Sequence, residues 1–220
     1  MHLTAAFFDF DNTLIRGDSQ GQEIRFLLAQ GRISAFLAVL LETSMHLQAR
    51  GIISADQLNR LYTYAYKNRT DRDLRRLGET LYQQRIKPRV IPEVKDLLDV
   101  HRRVGHRIVI VSASMKHMLQ PAAQALKADH LICSRIQWGK DGRATGRPAG
   151  PTCIGVQKRR RAEELARRRK IDLSLSWFYS DHHDDLPLLE VVGHPVAVRP
   201  TPKLEGAAIN KGWRIIELPR

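Results

Sequence analysis

The chain has 220 residues, 43% of them hydrophobic and 27% charged, which excludes a disordered or fibrous protein and allows one large domain or a core with a small accessory unit. A formal net charge of +13 admits nucleic acid, an anionic membrane surface or an anionic substrate as partner. Cys133 and Cys153 lack metal-type spacing, the N-terminal apolar run is too short for a secretory leader, and the longest unbroken apolar stretch is only residues 35–41; a cytoplasmic protein without a transmembrane segment is expected.

The first predicted element is a strand. Ala5-Ala6-Phe7-Phe8 is a short apolar run that leads straight into Asp9, Asp11, Asn12 and Thr13, the pattern of a buried strand ending in a turn. In open α/β sheets chemistry sits beyond the carboxyl ends of the strands, and an Asp-x-Asp pair in extended chain points both side chains to one face. Two like charges so close repel unless a cation or a shared proton relieves them. An all-oxygen site of this kind suits Mg²⁺. Taken alone, the pair also fits turn residues that bond their own backbone.

Residues 15–87 read as helical, with helices over 22–30, 33–49, 54–67 and 71–84. Ser54 and Thr70-Asp71 mark helix starts, and Gly31 and Gly51 mark stops. The stretch 33–47 is unusually apolar, with Phe36, Leu37, Val39, Leu40 and Leu41; it either packs within the insert or meets a lipid surface. Pro88 and Pro92 mark the return to a sheet. A helix is expected over 93–103, then a β-branched strand over 107–111 that enters Ser112-Ala113-Ser114. Next come a helix over 116–126, which Pro121 should perturb, and a hairpin across 130–146 turning at Asp141-Gly142. A basic helix follows from Val156, carrying Lys158-Arg159-Arg160-Arg161 and Arg167-Arg168-Arg169-Lys170, as a solvated face or a nucleic-acid surface. A strand over 175–179 runs into Ser180-Asp181-His182-His183-Asp184-Asp185, and strands over 195–198 and 213–218 close the chain. Alternating strands and helices predict an α/β fold with a doubly wound parallel sheet, interrupted by a helical insert.

Four polar clusters fall at strand ends or helix starts: Asp9/Asp11/Thr13, Ser112/Ser114, Lys158 and Asp181/Asp184/Asp185. Together they offer a nucleophile, an acid, a metal cage and anion donors. In this order the chain resembles the haloacid-dehalogenase-like superfamily, in particular its phosphoserine-phosphatase-like subfamily IB. The resemblance lies in Asp9-Phe10-Asp11-Asn12-Thr13-Leu14, Val111-Ser112-Ala113-Ser114, Pro151-Thr152-Cys153-Ile154-Gly155-Val156-Gln157-Lys158 and Tyr179-Ser180-Asp181 through Glu190, and continues to Gly212-Trp213. It implies a Rossmann-like catalytic core over 1–15 and 88–220 with a helical cap over 16–87. It further implies a phosphatase in which Asp9 attacks phosphorus and forms an aspartyl-phosphate. Asp11 would protonate the leaving oxygen and then deprotonate water. Mg²⁺ would be held by Asp9, the backbone carbonyl of Asp11 and Asp181. Ser112, Ala113 and Lys158 would hold phosphate oxygens, Thr13 would fix the first loop, and Asp184 and Asp185 would orient metal waters or Lys158. Asp184 departs from the Asn of many relatives, and His182-His183 read as variable loop residues.

The cap would choose a small phosphorylated substrate. Asp18 stands about where phosphoserine phosphatases place a carboxylate for the substrate amine, with Glu23 a turn beyond; Asp18 is also a plausible N-cap. Arg60 aligns loosely with their carboxylate-binding arginine, although Tyr62 falls in the matching slot. A phospholipid-headgroup phosphatase with peripheral membrane contact, a phosphotransferase and a non-enzymatic basic nucleic-acid binder are the competing readings. No obligatory nucleic acid is expected, and either a monomer or a dimer fits.

Overall fold

In the computed structural model, which describes residues 3–218, the opening apolar run is strand β1 (Ala5–Asp9), buried along its whole length. It pairs in parallel with β2 (Arg107–Met115) on one side and β6 (Trp177–Ser180) on the other. Beyond them lie β3 (His130–Ser134), β7 (His194–Val198) and β8 (Arg214–Ile216), giving a six-stranded sheet in the order β3-β2-β1-β6-β7-β8 with every pairing parallel. The chain winds outward from β1 first one way and then the other. The carboxyl end of β1 is therefore the switch point, where an open α/β sheet leaves its crevice.

A strand buried on both faces needs apolar residues at every position, which is why the alternation of half-buried strands is missing here. Period two sends Ala6 and Phe8 into one hydrophobic layer and Ala5 and Phe7 into the other. The first layer continues without a break into the helical segment, through Ile24, Phe26, Leu41 and Tyr62.

That segment holds α1 (Ser19–Ala29), α2 (Ala35–Ala49), α3 (Ala55–Tyr64) and α4 (Asp71–Leu81). Each starts on a side chain that accepts from the first turn: Asp18, Ser34, Ser54 and Thr70, the last two in reciprocal capping boxes with Gln57 and Asp73. The two ends of the segment meet. Arg16 N donates to Arg89 O at 2.8 Å and Ile91 N to Leu14 O at 3.0 Å, around an antiparallel bridge between Ile15 and Val90. The remaining helices are α5 (Pro92–Arg103), α6 (Lys116–Ala125), α7 (Val156–Arg169), the one-turn α8 (Leu186–Leu189) and α9 (Pro202–Lys211).

The structure corrects several expectations. His130–Ser134 is the parallel edge strand β3, and the hairpin is confined to β4 (Ile136–Trp138) and β5 (Ala144–Pro148) as a separate two-stranded sheet. The expected helix over 71–84 ends as α at Leu81 and continues as a π turn, Tyr82–Ile86. Residues Leu173–Leu175 form a 3₁₀ turn, so β6 starts later than expected. Helix α9 was not expected at all. Pro121 sits inside α6 without ending it. Lacking an N–H, it leaves the carbonyl of His117 without its helical donor. Gly78 of α4 lies against that carbonyl, so close that a Cβ built on Gly78 would be 1.9 Å from the oxygen. No helix among the described residues is long and apolar enough to cross a membrane.

Candidate active site

The loop after β1 is shaped by its backbone. Asn12 adopts φ 54° and Gly17 φ 84°, and Asn12 N donates to Gly17 O at 3.1 Å. Leu14 N and Ile15 N both donate to Phe10 O. The loop thus folds back on itself and leaves Asp9 and Asp11 at the sheet edge. Asn tolerates the left-handed region better than other non-glycine residues, which suits it to this position. Arg199, itself at φ 44°, donates from Nη2 to the carbonyl of Asn12 at 2.6 Å and fastens the loop to the end of β7.

Asp9 and Asp11 have separate partners. The Lys158 Nζ, on the first turn of α7, donates to Asp9 Oδ1 at 2.7 Å and to Asp185 Oδ2 at 2.8 Å. Lys158, Asp9 and Asp185 are all buried. Ser180 Oγ donates to the same Asp185 oxygen at 2.6 Å, while Asp185 Oδ1 is buried without a partner. Thr13 is buried and donates from Oγ1 to Asp181 Oδ1 at 3.3 Å, tying the first loop to the acid cluster after β6. Asp11 faces the other way. Its Oδ1 accepts from Ser19 N at 2.6 Å and its Oδ2 from Ser114 Oγ at 3.1 Å. The Ser19 and Ser114 hydroxyls lie 2.9 Å apart. The register of Asp9 with Val111 puts Ser112 and Ala113 at the same edge, where Ser112 Oγ accepts from Ser114 N at 3.1 Å.

Burial sets the electrostatics. It pushes the Asp9 carboxyl well up; Lys158 opposes this, and Asp185 and Asp181 add to it by repulsion. Asp11 is raised by burial, against hydrogen bonds from Ser19 and Ser114. Asp181 is pushed up to about 6, by burial first and then by Asp185, against the charge of Lys158. Burial alone would lower Lys158, yet Asp185 and Asp9 outweigh it and hold the ammonium charged. One buried ammonium therefore bonds two buried carboxylates, Asp9 and Asp185, while a third, Asp181, feels only its charge. The excess negative charge, the oxygen-only donors and the orphaned Asp185 Oδ1 together fit a divalent, hard cation such as Mg²⁺. A cavity of about 390 Å³ lined by Asn12, Gly17, Asp181, Arg199 and Thr201 opens beside this cluster.

Asp9, Asp11, Thr13, Ser112, Ala113, Lys158, Asp181 and Asp185 thus converge on one sheet edge. Asp184 instead turns to His182, 3.3 Å from its Nδ1, and is held below the usual carboxylate range by that contact. The three residues read from the helical segment fare differently. Asp18 caps α1, accepting from Gly21 N at 2.5 Å, and its charge reaches Asp11. Glu23 does not reach the site: it is sealed between His117 Nε2 at 2.9 Å and Tyr62 Oη at 2.6 Å. Arg60 is exposed on α3, and its charge acts on Asp56. Its helix buries Tyr62, and an arginine two positions earlier points off that face. Ser19, Ser180 and Arg199 escaped the sequence reading. Ser19 could have been found from its place directly after a helix cap; Arg199 carries no local signal.

The family model described as haloacid dehalogenase-like hydrolase matches residues 6–190. The chain is 34% identical to the Mycobacterium tuberculosis protein "Probable phosphatase Rv3661", over 99% of this chain and 76% of that one. It is 27% identical to the "Histidinol-phosphatase" of Neisseria meningitidis, over 96% and 97% of the two chains. The crystal structure of a protein of unknown function from Bordetella pertussis Tohama I superposes with a TM-score of 0.90 at 29% identity, covering 98% of this chain and 99% of that one.

Proposed function

The chain belongs to the haloacid dehalogenase-like hydrolase family and is a phosphatase of that family; from that premise we propose that it hydrolyses small phosphoric monoesters through an aspartyl-phosphate on Asp9. The observation that carries this reading is the division of partners between the two carboxylates. Asp9 is bonded to a cation, as an ionised nucleophile requires. Asp11 is bonded only by neutral donors, with no cation against it, as a proton donor requires.

The chemistry follows in two displacements. An oxygen of Asp9 forms a bond to phosphorus while the bond to the leaving oxygen breaks, and Asp11 gives that oxygen its proton. Asp11, now a carboxylate, takes a proton from water as the water oxygen bonds to phosphorus. The bond to Asp9 breaks, and inorganic phosphate is released. Ser19 and Ser114 hold Asp11 in place for both transfers. Lys158 orients Asp9 and supplies positive charge beside the phosphoryl oxygens, with Asp185 fixing the ammonium. Asp9, Asp181 and the backbone carbonyl of Asp11 would hold Mg²⁺, whose charge would keep Asp9 ionised and neutralise the phosphate. Ser112 and Ala113 would meet phosphate oxygens.

The helical segment over 16–87 would act as the cap that selects the leaving group. Asp18 brings negative charge toward Asp11, whereas Arg60 points elsewhere. This favours a phosphomonoester carrying an amine and lacking a carboxylate.

The test is turnover of an aryl phosphate with and without EDTA, for the native chain and Asp9→Asn. Turnover is expected to stop with EDTA and to fall by about 10³ or more in the variant. Borohydride added during turnover should convert Asp9 to homoserine, read by peptide mass. Full activity of Asp9→Asn would overturn the mechanism. With natural substrates, histidinol phosphate should be turned over faster than phosphoserine; the reverse order would overturn the cap reading alone.

A further inference from the structure

Helix α2 has apolar residues on both sides. Ala38 and Leu41 turn inward and are buried. On the opposite side Phe36, Val39 and Leu40, spaced as neighbours along one helix face, are exposed to 79%, 62% and 38%. Ser34 caps the helix, accepting from Leu37 N, so this is a formed helical face rather than a loose loop. An exposed phenylalanine with two aliphatic neighbours marks a contact surface.

The charges around it indicate what it contacts. From residue 28 to residue 52 the one acid is Glu42, and Arg25 neutralises it at 3.6 Å. Arg32 and Arg50 stand at the two ends of the helix, both exposed, with His46 exposed between them. A face-to-face pairing of two copies would bring these arginines together, on chains that each carry +13. An anionic bilayer does the opposite: it takes the apolar stripe below its headgroups and pairs the flanking cations with lipid phosphates. The helix is about 22 Å long, suited to lying in the interface plane.

We propose that the exposed face of α2 docks this protein on an anionic lipid bilayer. Phe36, Val39 and Leu40 enter the interface, and Arg32 and Arg50 hold the helix flat against it. The docking is independent of the catalytic reading, because no residue of the carboxylate–lysine cluster takes part.

The experiment is co-sedimentation with phosphatidylcholine vesicles, pure or with about 30 mol % phosphatidylglycerol. Binding is expected to the anionic vesicles only, and to be lost as NaCl rises from about 0.05 to about 0.5 M. The double variant Phe36→Ser, Val39→Ser should bind at least about tenfold more weakly, and Arg32→Glu, Arg50→Glu should abolish binding. Aryl-phosphate turnover in solution should stay unchanged in both, which shows that they are folded. Absence of vesicle binding, or equal binding by the serine variant, would overturn the proposal. So would a dimer of the native chain in sedimentation that the serine variant dissolves, since it would assign the face to a second copy.

Discussion

Lys158 has two jobs that a single substitution separates from all others. Its ammonium is the shared counter-charge of Asp9 and Asp185, all three side chains being buried. Lys158→Met keeps the length and removes the charge, leaving two carboxylates buried without it. We expect a loss of about 3–5 kcal/mol in urea unfolding, together with loss of aryl-phosphate turnover. Unchanged stability would mean that the carboxylates are hydrated in solution. Alone, at the head of a basic run, this residue reads as surface; it was legible through the motif Pro151 to Lys158 and its order among the polar clusters. The partners of Asp11 were harder to read. Ser19 reaches it with a backbone amide, and Ser114 approaches from a strand 103 positions away. Arg199 joins Asn12 across 187 positions, and only the closed sheet brings those two together.

Among the elements, strand β1 and helices α1 to α7 were legible because caps, glycines and apolar runs act within a few residues of where they stand. Strand β3 was misread because Asp141-Gly142 gives a strong turn signal that drew its neighbours into one hairpin. What assigns His130–Ser134 is its pairing with β2, a contact no local pattern announces. Pro121 was expected to disturb α6, and its effect surfaces one element away: the carbonyl it leaves free is where α4 makes its closest approach, through Gly78. Gly78→Ala should therefore cost about 1–3 kcal/mol, since backbone must move to admit the methyl. Gly206 in α9 has open space around it, and Gly206→Ala should stabilise by about 0.5–1 kcal/mol. Thermal unfolding of the two variants checks both signs. Equal shifts would show that the α4–α6 contact is looser than its geometry.

At the scale of the whole molecule, rings from three strands and α5 link the sheet to one layer. Phe8 and Tyr179 stack at 4.6 Å, Tyr179 Oη lies 2.8 Å from His101 Nε2, and Trp177 stacks on His194 at 4.0 Å. Burial, with His106 and His194 adding repulsion, lowers His101 to about 4. Between pH 6.5 and 4 the unfolded chain takes up a proton that the folded chain refuses, so stability should fall as pH drops through that window. Unfolding midpoints of the native chain and His101→Gln at pH 7 and pH 5 test this; the native chain should lose more. An equal loss in both would place the acid sensitivity elsewhere. The same scale shows what the bridge between Ile15 and Val90 means. Because the ends of the long helical excursion are hydrogen-bonded to each other, the register of the sheet is indifferent to how much chain lies beyond them. Evolution can lengthen, trim or exchange that excursion while the nucleophile and its lysine keep their places, provided that the apolar seam beneath it is matched again.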